Sequence, residues 1–153
     1  MRRAPLLLAL LVLAGPARAH WEYTRWGMTP EQVVQASRGT ALLVPPAERR
    51  RLPDADLLVA AEGSFAEGPL RLAVRFGFDS RGSLALVVYG VADPAQNQAL
   101  RDWLVRRHGE PQRQGGLPAI GMESLTWDGE DEIELTITEG ERAFVLHEPR
   151  ASR

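Results

Sequence analysis

Residues 28–39, MTPEQVVQASRG, carry the start, body and stop of a helix, and any fold the chain adopts has to accommodate that rod. Thr29 stands where an N-cap belongs. Pro30 takes the first helical position, where its missing N–H loses no bond, and Gln32 follows Thr29 by three residues, giving a Thr-x-x-Gln capping box. Met28 and Val33 are spaced to close over the first turn as a hydrophobic staple. Gly39 supplies the left-handed conformation that ends a helix, and Arg38 falls in the expected last turn, at the negative end of the dipole. The same grammar returns at Asp93 as cap, Pro94 at the first position, Gln96 three residues on and Gly109 as stop. It predicts a second helix over 94–108, with Ala99, Leu100, Trp103 and Leu104 on its core face.

Between and after the helices the periodicity changes from 3.6 to two. Leu70, Leu72, Val74, Phe76 and Phe78 alternate with Arg71, Ala73, Arg75 and Gly77, so one face of that strand is core and the other carries arginines. Asp79–Gly82 is a turn, and Leu84–Val91 returns as a nearly continuous apolar strand, the mark of a central position. Further strands are predicted at His20–Arg25, Leu57–Ala61, Met122–Trp127, Glu132–Thr138 and Arg142–His147, with loops at Pro45–Asp56 and from Gly109 to Gly121. Trp21, Tyr23 and Trp26 read as anchors of the first helix against a sheet. The fold class is α+β: an antiparallel sheet of about six to seven strands with two helices on one face. Each half, about 20–91 and 92–149, reads as a helix followed by a three-strand meander, the pattern of a tandem duplication, although residue identity between the halves is slight.

The first nineteen residues differ from the rest. Arg2 and Arg3 precede an apolar run from Leu6 to Ala14, and Ala17-Arg18-Ala19 places small residues at both recognition positions of a secretory signal peptide. That run falls short of the roughly 20 residues a membrane-spanning helix needs. Cleavage would leave residues 20–153 as one soluble α+β domain in the periplasm or outside the cell. Removing Arg2, Arg3 and Arg18 leaves 15 basic residues against 20 acidic ones, a net charge of −5, which argues against nucleic acid or an anionic membrane as a general partner. With no cysteine, a lipid anchor on cysteine, a disulfide framework and thiolate chemistry are excluded.

WEYTRWGMTPEQVVQAS, a strand pair ending FDSRGSLALV, a helix ending RRHGEP and a strand holding Trp127 together cover most of the mature chain. On these motifs, above all W-G-M-T-P-E-x-V, the chain resembles a group of small exported bacterial proteins of unknown function. The resemblance implies a periplasmic location and no activity. More distantly, the order of helix and meander is similar to the tandem modules of the β-lactamase inhibitor protein and to the small lipoprotein of the outer-membrane barrel-assembly machine. The chain lacks the lipoprotein's cysteine and any disulfide, so that similarity implies architecture alone.

Residues capable of chemistry are few. His20, at the new N-terminus, could join His108 or His147 in holding copper through its amine and imidazole, against the simpler reading of a chance residue at a cleavage site. Asp128, Glu130, Asp131, Glu132 and Glu134 set five carboxylates within seven residues. They lack the spacing and glycine of a calcium loop and read as a charged hairpin turn protecting a sheet edge. Arg49, Arg50 and Arg51 are a candidate contact for an anionic glycan or head group, otherwise a solvated loop. Arg71 and Arg75 form an outer-face pair suited to cross-strand ion pairing, with Glu134 as the partner considered. No nucleophile elbow, Ser-x-x-Lys, HExxH, phosphate loop or dinucleotide fingerprint is present, so no catalytic residue, metal or cofactor is assigned.

The expectation is therefore a non-catalytic exported binding module. It would act on an envelope protein or glycan through its sheet or the 45–56 loop, with Arg49, Arg50, Arg51, Arg71 and Arg75 as the binding candidates. The alternative is a small periplasmic hydrolase or metal-dependent enzyme using His108 or His147.

Overall fold

A computed structural model describes residues 21–52 and 55–150 of the chain. The signal-peptide reading and His20 lie outside the described residues. Among the described residues two α-helices, α1 (Pro30–Ala36) and α2 (Asn97–His108), accompany nine strands: β1 (Ala41–Leu43), β2 (Arg50–Arg51), β3 (Leu58–Glu67), β4 (Leu70–Phe78), β5 (Leu84–Val91), β6 (Arg113–Leu117), β7 (Met122–Asp128), β8 (Asp131–Thr138) and β9 (Phe144–Pro149). All pairings are antiparallel, in the order β1-β3-β4-β5-β9-β8-β7-β6, with β2 also on β3.

The sheet has nine strands rather than six to seven, and the differences lie where hydrophobic pattern carries least information. β1, β2 and β6 are short edge strands, exposed along most or all of their length, so no alternation marks them and pairing with a neighbour alone makes them strands. The 20–25 segment is not a strand within its described residues. Trp21–Thr24 closes a turn, with Thr24 N–H donating to the Trp21 carbonyl at 2.8 Å and Glu22 at φ 48°.

The first helix is capped as its residues require. Gln32 N–H donates to Thr29 Oγ1 at 3.3 Å, and Thr29 N–H donates back to Gln32 Oε1 at 2.9 Å. It ends at Ala36 with Ser37 as C-cap, which leaves Arg38 beyond the last turn at φ 52° and Gly39 at φ 93°. The second helix starts differently from its sequence grammar. Asp93 caps Ala95 N–H at 2.9 Å, but Pro94–Gln96 is a 3-10 turn, and Gln96 reaches away to the Pro69 carbonyl and the Arg71 N–H. Asn97 likewise donates to the Glu141 carbonyl and accepts from Ala143 N–H, both at 2.8 Å. Competing tertiary partners thus take the Gln96 side chain that a local capping box would have used.

One hydrophobic cluster unites the halves. Val33 of α1 and Leu100, Trp103 and Leu104 of α2 pack on the same sheet face as Leu72, Val74, Phe76, Val87, Tyr89, Leu125, Leu135 and Val145. Trp21 is an anchor in that cluster, its ring within 5.6–5.8 Å of Tyr23, Phe65, Phe76 and Tyr89. Among the described residues no helix is long and apolar enough to cross a membrane.

Candidate functional site

Period two on β8 turns Asp131, Ile133 and Leu135 to one face, and on β9 it turns Val145 and His147 to that same face. Ile133 lies opposite His147 and Asp131 opposite Pro149, so Asp131 and His147 are diagonal neighbours on the core side. They meet at 2.8 Å, His147 Nε2 to Asp131 Oδ2, with only 5% and 7% of their side chains exposed. The other oxygen, Oδ1, accepts the indole N–H of Trp26 at 2.8 Å, from the turn that leads into α1. The Trp26 ring stands edge-on to the His147 ring, 5.7 Å between centroids.

A carboxylate can only accept, so the His147 proton shared with Asp131 resides on Nε2. Nδ1 is buried with no partner. Such an oriented imidazole is what bases and metal ligands share.

Beside the pair opens a cavity of about 340 Å³. His108, at the C-terminus of α2, contributes to its wall together with His147, Trp127 and Ile133. Trp127 is pinned by its N–H on the Gly109 carbonyl at 2.8 Å. Gln112 accepts from Asp128 N–H and donates to the Glu110 carbonyl. Desolvation by surrounding protein, reinforced by His147 and Arg107, holds the His108 pKa below its ordinary value.

The carboxylates of the β7–β8 turn do not converge: Asp131 faces the core, Asp128 and Glu132 share one arginine, and Glu134 turns to Ser124. Asp128 takes both arms of Arg113 at 2.8 and 2.9 Å, and that hydrogen bonding holds its carboxyl below the usual range; Glu132 shares the same guanidinium at 3.1 Å. Glu134 accepts from Ser124 Oγ at 2.8 Å, so it is no partner of Arg71 or Arg75. Among the described residues no three histidine or carboxylate groups converge as metal ligands.

The arginine candidates fall in three places. Arg49 donates to the Val44 carbonyl at 3.1 Å and Arg51 pairs with Asp56, while Arg50 and Arg51 extend β2 along the β3 edge. Arg71 folds onto the Gly68 and Leu70 carbonyls at 2.5 and 2.9 Å. Arg75 faces the side of the sheet away from the helices, opposite Glu62 and Val88. There it lines a groove of about 480 Å³ with Arg142 and Phe144. Sequence reasoning grouped Asp131 with the turn and so missed its pairing; the signal was its inward register with Ile133 and Leu135.

No protein-family model matches the chain, and no curated protein does. Among solved structures, a DUF4309 family protein (YjgB) from Bacillus subtilis is similar at 15% identity and a TM-score of 0.46, over 80% of this chain and 78% of that one. No functional conclusion follows from a likeness at that level.

Proposed function

We propose that the chain is an exported, non-catalytic binding module that acts in the periplasm on a protein or cell-envelope component. The observation that carries this reading is the outer-face groove. Both helices pack on the opposite side of the sheet, leaving the Arg75, Arg142 and Phe144 surface bare of helix. Among the described residues neither guanidinium has a carboxylate within ion-pair distance. Phe144 keeps 40% of its surface exposed on a strand in the middle of the sheet. Unpaired arginines around an exposed aromatic are the residue types that anchor protein interfaces. The leader-like N-terminus supports the location. The test is recovery of a stoichiometric partner from envelope extract by the wild-type protein and its loss with R75E/R142E; equal recovery by both proteins would refute the groove as the contact.

A second reading, a small hydrolase or metal-dependent enzyme using His108 or His147, is favoured by the oriented Nδ1 of His147. No serine, threonine or cysteine lines the cavity. A turnover abolished by His147→Ala with the fold intact would establish it over the binding reading.

A further inference from the structure

The helix-free face of the sheet carries charge of opposite sign on its two sides. Glu62, Arg75, Val88, Leu146, Glu134 and Thr126 stand in one row on β3, β4, β5, β9, β8 and β7, each paired in register with the next. Among the described residues Arg75 has no carboxylate within ion-pair distance, although Glu62 is its cross-strand neighbour, and Arg142 has none either. On the β8 and β9 side the excess is negative. Glu148 stands opposite Glu132 with Glu134 diagonal to it, and neither Glu134 nor Glu148 has an ion pair among the described residues. Desolvation, reinforced by the charges of Glu132 and Glu134, holds the Glu148 pKa above its ordinary value. Between the two sides runs an apolar seam of Val88, Leu146 and the exposed Phe144.

An apolar strip between a positive and a negative side has the anatomy of an interface, and such a face complements a copy of itself under one symmetry. A two-fold axis running across the strands would lay β4 on β4, the positive side on the positive side. An axis along the strands at the β5–β9 seam instead exchanges β4 with β8 and β5 with β9, and it keeps the row. We infer that this face joins two copies of the chain in an isologous, sheet-on-sheet dimer, with Arg75 of each copy over Glu134 of the other and Val88 over Leu146. Sheets stacked in this way lie about 10 Å apart, with one layer of side chains from each between them. Glu62 then falls over Thr126, so no like charges meet in that row. Both helices pack on the other side and leave the face open to the second copy. The inference rests on the reading of this face as a protein contact, and it names the partner.

Sedimentation equilibrium of the purified protein, taken up to about 200 μM to reach weak dimers, tests it. A reversible monomer–dimer equilibrium is expected, weakened by added salt. R75E and E134R should each weaken the dimer by about tenfold or more, since each sets like charges in contact twice over. Mixed one to one, these two variants should dimerise again, because each substitution supplies the charge that the other removes. E134Q keeps an acceptor for Ser124 Oγ and covers the case of an E134R chain that fails to fold; it should weaken the dimer by about threefold or more. A wild type that stays monomeric, an R75E or E134Q protein that dimerises undiminished, or a mixture of folded R75E and E134R that stays monomeric would each overturn the inference. A monomer that recovers a foreign envelope partner, lost with R75E/R142E, would overturn the dimer and leave the groove reading standing. A wild-type dimer whose envelope recovery is unchanged by R75E/R142E would uphold the dimer and remove the foreign contact.

Discussion

Trp26 and Asp131, 105 residues apart in sequence, are joined by an indole N–H to carboxylate hydrogen bond of 2.8 Å. The bond fastens the turn before α1 to the β8 end of the other half, and it fixes the carboxylate that in turn orients His147.

Removing that carboxylate strands the buried donor of His147 and the partly buried indole N–H of Trp26. Asp131→Ala should cost about 2–4 kcal/mol, since a buried donor left without its acceptor costs about 1–3 kcal/mol and a partly buried one less. Trp26→Phe, which removes only one donor, should cost about 1–2 kcal/mol. In urea melts, an Asp131→Ala loss under about 1 kcal/mol would contradict the buried pair.

Trp103 is 2% exposed and packs against Phe65 and Tyr89, with the Arg107 guanidinium 4.3 Å from its ring centroid. Trp103→Ala should therefore destabilise by about 3–5 kcal/mol. The same denaturant midpoint measurement decides it, and a loss under about 1 kcal/mol would place the ring outside the core.

Thr29 and Gln32 make both bonds of the capping box on a helix of only 7 residues. Thr29→Ala should cost about 1 kcal/mol, while Thr29→Asp should be close to neutral. Equal losses in the two variants would show that the cap contributes nothing through its side-chain oxygen.

His108 has a folded-state pKa below its ordinary 6.5, so on acidification the unfolded chain takes up that proton first. Its contribution to stability is whole above 6.5 and is lost as pH falls from there through the folded value. His108→Asn should flatten the decline of the urea midpoint across that window; an unchanged slope would show that His108 is not depressed.

The sequence exposed those parts of the fold in which burial and periodicity coincide. Leu70–Phe78 and Leu84–Val91 were bounded correctly because one face or both are core, and the Thr29 box because its partners are three residues apart. β6, Arg113–Leu117, was invisible because all five residues are exposed and only β7 makes it a strand. The second capping box was misread because Gln96 bonds across to Pro69 and Arg71, partners 27 and 25 residues away. For the site, His108 and His147 could be named but not placed together, since the meeting of His147 with Asp131 depends on strand register and the approach of His108 on how the second helix packs, neither of which a single segment encodes.

β9 is the last strand in sequence, yet it occupies the middle of the sheet between β5 and β8, and its residues 144–147 form the seam with β5. The core cannot close until β9 has paired with β5, and pairing between segments so distant in sequence slows folding. Clipping the molecule upstream of Phe144 would then leave two half-sheets with open edges, which are targets for proteolysis and aggregation, instead of a shortened but intact protein.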